Sequence, residues 1–109
     1  MSSDEIDRQR QEAADRRQEV NRGDQARRIY ESPLFKEAVD AIKDRLWLQF
    51  SKSALADDKA RLIARLKLDC LDELLKDLNR HMDTGKLASQ QLPMIERALE
   101  AMRRKRKRI

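Results

Sequence analysis

Apolar positions follow a different rhythm in each of four segments of this 109-residue chain. In the first, up to Glu31, Ile6, Ala13 and Val20 recur every seven residues and so share one helix edge. The alternate heptad positions hold Arg10 and Arg17, which leaves the seam half missing. Eight acids and seven arginines crowd the same stretch. Pairs such as Asp4 with Arg8 and Glu12 with Arg16 stand four apart, acid first, the better order for side-chain pairing. The pattern predicts a solvated helix that frays, interrupted at Gly23, and that becomes helical only when packed on a partner.

Ser32-Pro33 marks a clean helix start, since serine can accept a first-turn amide and proline fits the first helical position. From 33 to 51, Phe35, Val39, Ile42, Leu46 and Phe50 form one stripe, widened by Leu34, Ala38, Ala41 and Leu48. Trp47 borders that stripe, where a ring closes a core or a subunit contact. Ser51-Lys52-Ser53 is a polar break, and Asp57-Asp58 place negative charge at a new helix N-terminus.

The third helix is expected to run to Asp83, with Leu62, Ile63, Leu66, Cys70, Leu71, Leu74, Leu75, Leu78 and Met82 broad enough to touch helices on two sides. The short connection makes helices two and three an antiparallel hairpin. Thr84-Gly85 should end it, and a final helix should begin between Ser89 and Pro93, because proline is tolerated in the first turn. Met94, Ile95, Ala98, Leu99 and Met102 supply its apolar face.

The fold class expected is therefore all-α, in three parts: a charged arm (1–31), a helical hairpin (32–86) and a C-terminal helix with a basic tail (87–109). The composition agrees: 4% aromatic residues, two glycines, two prolines and 41% charged residues favour helix over strand. The apolar surface of the third helix exceeds what its neighbours can cover, so self-association is expected. Its interface is assigned to Trp47, Leu68, Leu71, Leu75, Leu78 and Met82.

Candidate chemistry is sparse. A single cysteine, Cys70, cannot form an internal disulfide, and in the apolar stripe it is read as a small buried hydrophobe. The only histidine, His81, lies eleven residues on, roughly 16 Å along a helix, and is placed near a helix C-terminus. Asp57, Asp58, Asp69, Asp72 and Glu73 read as a solvated face, and Thr84-Gly85-Lys86 lacks the rest of a phosphate loop. The residues argue against an enzyme and against any metal or cofactor. No apolar run approaches the roughly 20 residues that span a bilayer, and no secretory signal opens the chain.

Charge changes the picture at one place. Arg103, Arg104, Lys105, Arg106, Lys107 and Arg108 are six consecutive cations in a chain of formal net charge +5, so the preceding residues sum to −1. Such a run attracts polyanions, phosphate backbone first and acidic protein surfaces second. With no aromatic residue interleaved, its binding should be sequence-independent and salt-sensitive. Cations also suit a helix C-terminus, so the helix is expected to extend into the tail.

The order Gly23-Asp24, then Ser32-Pro33-Leu34-Phe35-Lys36-Glu37-Ala38, a hairpin, and Thr84-Gly85-Lys86-Leu87-Ala88 resembles a group of short helical proteins of tailed bacteriophages. The resemblance covers residues 23–88 and rests on helix-boundary signals; Ser32 stands where the group has Asn, and Ser51-Lys52-Ser53 departs from its Thr-Pro loop. It implies a viral origin, in the host cytoplasm or the virion, and a part in DNA packaging or particle assembly. It brings no catalytic residue. One reading is an oligomeric nucleic-acid-binding protein of the small-terminase kind, although no helix-turn-helix is apparent. The other is a scaffold or minor head protein whose charged ends bind acidic patches on capsid, portal or motor subunits. A nuclear-localisation reading of the tail fits the charge run alone, and the phage resemblance counts against it.

Overall fold

The structure, a computed structural model, describes residues 3–52 and 57–107, with the side chains of Arg106 and Lys107 left undescribed. Ser53 of the expected polar break and Arg108 of the tail lie outside it. The described residues form three helices, α1 (Ser3–Glu31), α2 (Pro33–Lys52) and α3 (Asp58–Lys107), and no strand.

Local chemistry explains the starts. The Ser32 Oγ accepts from the Phe35 amide at 3.5 Å and the Ser32 carbonyl accepts from the Lys36 amide at 3.0 Å, so one residue separates α1 from α2. The Asp57 carboxylate accepts from the Ala60 amide at 3.1 Å and opens α3 in the same way. Asp4 and Glu5 in the first turn of α1 and Arg28 in its last complement the helix dipole.

Three expected boundaries are corrected. Gly23 does not interrupt α1, Thr84-Gly85 does not end α3, and no separate helix begins at Ser89–Pro93, since α3 runs through Gly85 and Pro93 without a break. Neither glycine has positive φ, so Gly85 is not a left-handed helix cap.

The reason lies in packing. Residues 1–26 and 80–109 form one compact unit, the terminal pair; residues 27–79 form another, the central hairpin. In the terminal pair α1 presents positions 6, 9, 13, 16, 20 and 23 inward, with Ile6, Ala13 and Gly23 buried and Gln9, Arg16 and Val20 half-buried. On α3 the inward positions are 81, 85, 88, 92, 95, 99 and 102, buried or half-buried throughout. Both alternate steps of three and four, the heptad rhythm of a coiled-coil seam. The expected seam is therefore complete, its second row supplied by Gln9, Arg16 and Gly23 rather than by Arg10 and Arg17.

The register is antiparallel: Gly23 meets Gly85, Arg17 meets Glu96, and Ile6 shares a cleft with Met102. At the crossing a Cβ added to Gly23 would lie 2.9 Å from the Gly85 Cα and 3.0 Å from the His81 carbonyl oxygen. A Cβ on Gly85 would meet the Gly23 Cα at 2.9 Å and the Glu19 carbonyl at 3.0 Å. Each helical glycine costs about 1 kcal/mol relative to alanine. Here glycine allows backbone to touch backbone, and Ala13, Ala26 and Ala88 continue the small-residue seam, each at most 4% exposed.

The central hairpin is built from larger side chains. Val39 and Leu46 of α2 are buried and Phe35, Ile42 and Phe50 half-buried, as are Leu68, Leu71 and Leu75 of α3, while Ala64 is buried. Trp47 and Phe50 flank Leu68, Leu46 lies by Leu71, and Val39 by Leu75, so the two helices run antiparallel as expected. Tyr30, on the last turn of α1, joins Phe35 and Val39 around Leu75.

Candidate nucleic-acid interface

The basic run is the last part of α3, which stays helical through Lys107, as its charge complement to the helix dipole favours. Arg103, Arg104 and Lys105 are exposed. Consecutive helical positions are about 100° apart, so Arg103, Arg104 and Lys105 leave the axis on three sides and cannot all face one flat partner. The Arg104 Nε lies 3.5 Å from the Glu100 Oε1, an exposed pair that water screens and that phosphate can displace.

The antiparallel register adds residues that no local signal marks. Arg10 and Arg17 of α1 line a cleft of about 330 Å³ with Glu96, Glu100, Met102 and Arg103 of α3. The Arg17 Nη2 donates to the Glu96 Oε1 at 3.4 Å. Arg10 and Arg103 have no ion pair among the described residues, so two unneutralised guanidinium groups open on one cleft. In the sequence Arg10 reads only as a flaw in the seam. The same register starts α1, with Asp4, Glu5 and Asp7, beside the turns where the cations begin, which lowers the local positive potential. The terminal pair carries 14 cations and 10 acids, the hairpin 11 and 10. The excess of positive charge is thus concentrated in the terminal pair.

The residues assigned to an oligomer interface are dispersed. Leu68, Leu71 and Leu75 are half-buried beside α2 within the chain, and Leu78 and Met82 are also half-buried. Trp47 is 57% exposed, its ring edge-on to Phe50 with centroids 5.8 Å apart. Cys70 is exposed, contrary to its reading as a buried hydrophobe, because α2 covers the Leu71 side of α3. His81 is not at a helix end but half-buried in mid-helix, its backbone carbonyl forming part of the glycine crossing.

Among the described residues no group of three His, Cys, Asp or Glu side chains could hold a metal ion. None of the described helices is long and apolar enough to cross a membrane. No protein-family model, curated protein or solved structure matches the chain.

Proposed function

We propose that this protein is a non-enzymatic, oligomeric nucleic-acid-binding factor of bacteriophage DNA packaging or assembly, of the small-terminase kind. The viral part rests on the sequence resemblance. The observation that carries the binding part is the exposed Arg103, Arg104 and Lys105 at the helical end of α3, joined by Arg10 across the cleft. A helical array presents charge at set spacing to a phosphate backbone, and with no aromatic residue in the sequence of the terminal pair the contact is sequence-independent.

Duplex DNA binding by the full chain and by a chain ending at Met102 tests this. Each phosphate contact contributes about 0.9 to the log–log salt slope, so loss of roughly three contacts should lower the slope by about 3. Weak binding at low salt, or binding that survives the truncation unchanged, would remove nucleic acid as the partner.

A further inference from the structure

On the outer side of the central hairpin, α3 carries an apolar ridge that no described residue covers. Leu62 is 58% exposed and Leu66 53%, and Cys70 continues the ridge one turn further. These positions and Lys59 and Glu73 follow steps of three and four, so a cation closes one end of the ridge and an acid the other. Neither Lys59 nor Glu73 has an ion pair among the described residues. Beside the ridge runs an open groove of about 500 Å³, floored by Ile42, Leu46, Leu71 and Leu74 and rimmed by Arg45 and Lys67.

We infer that this face binds a second copy of the same chain, α3 against α3 and antiparallel, about a two-fold axis at Leu66. The charge order selects that occupant. Read in reverse, cation–leucine–leucine–cysteine–acid is its own complement: Lys59 meets Glu73 of the second copy, Leu62 meets its Cys70, and Leu66 meets Leu66. An isologous contact requires such self-complementarity, and an unrelated partner does not. The two α3 helices bury the leucines between them, and each keeps its own α2 on the opposite side. This supplies the interface for the oligomeric part of the proposed function and is independent of DNA, because mass and DNA binding are measured separately.

Sedimentation of the full chain up to about 100 μM, where a contact of micromolar affinity is saturated, should show two chains or an even multiple. Leu66→Glu sets two carboxylates face to face on the axis and should weaken association more than about tenfold. Leu66 is half exposed, so helicity by circular dichroism should be unchanged. Glu73→Lys should weaken association by about threefold or more, and adding Lys59→Glu in the same chain should restore it. Leu66→Cys in a Cys70→Ser background should oxidise to a covalent dimer. A single-chain mass at the highest concentration, or association that Leu66→Glu leaves unchanged, overturns the proposal. Failure of the charge swap to restore association overturns the antiparallel register.

Discussion

The terminal pair is poor in large apolar side chains and yet covers its seam, whereas the central hairpin is rich in leucine and leaves much of it in water. Ala13, Ala26 and Ala88 are at most 4% exposed, while Leu62, Leu66 and Leu74 of the hairpin are more than half exposed. Apolar content therefore does not measure coverage. Small residues let two helices approach until backbone meets backbone, so each modest side chain is fully enclosed. Large side chains hold helices apart, and a pair of helices cannot enclose a broad stripe on either member.

That contrast predicts opposite sensitivities. In the hairpin, loss of volume should do the damage: Leu46→Ala, at a position 7% exposed, should cost about 2–4 kcal/mol in urea unfolding. Leu62→Ala on the open ridge should change monomer stability by no more than about 0.5 kcal/mol. Measured at a concentration too low for association, equal losses would mean that the ridge is covered within one chain, and the distinction would fail.

In the terminal pair, added volume should do the damage. Gly85→Ala gains about 1 kcal/mol of helix propensity but drives a methyl group into the Gly23 backbone, which no rotamer change relieves. The net result should be a loss of about 1–2 kcal/mol by thermal unfolding. A stabilised variant would mean that the helices do not cross so closely. Pro93→Ala, on the exposed side of the same helix, should instead stabilise by about 1–3 kcal/mol, because proline there lacks an amide donor and crowds the preceding turn.

Charge changes should be smaller. Arg17→Ala removes an interhelical pair whose partners are both about half exposed, and should cost under about 0.5 kcal/mol. Replacing Asp4, Glu5 and Asp7 by their amides should leave folding nearly unchanged and tighten duplex binding by about threefold at low salt, read by anisotropy. No gain in binding would place the acids too far from the bound phosphates to matter.

Local signals set the helix starts at Ser32-Pro33 and Asp57, but those at Gly23, Thr84-Gly85 and Pro93 mark no boundary. Ser32-Pro33 and Asp57 act through hydrogen bonds within four residues, so the chain announces them directly. Thr84-Gly85 carries an equally local stop signal and Ser89–Pro93 an equally local start signal, and pairing along α1 overrides both. The candidate interface divides the same way. Arg103 to Arg108 stand out as a charge run, whereas Arg10 gains significance only when the register brings it to the cleft with Arg103.

The amino-acid pattern alone determined that this protein is helical, that a hairpin lies at its centre, and that one end carries a dense positive charge. Those properties follow from propensity, spacing and composition, each local or additive along the chain. Tertiary structure decided that α1 pairs with the far half of α3, that two glycines form a crossing instead of helix breaks, and which leucines remain exposed. Each of these depends on residues about 60 or more positions apart meeting at van der Waals distance, or on which face a neighbouring helix covers, and no short-range pattern encodes that.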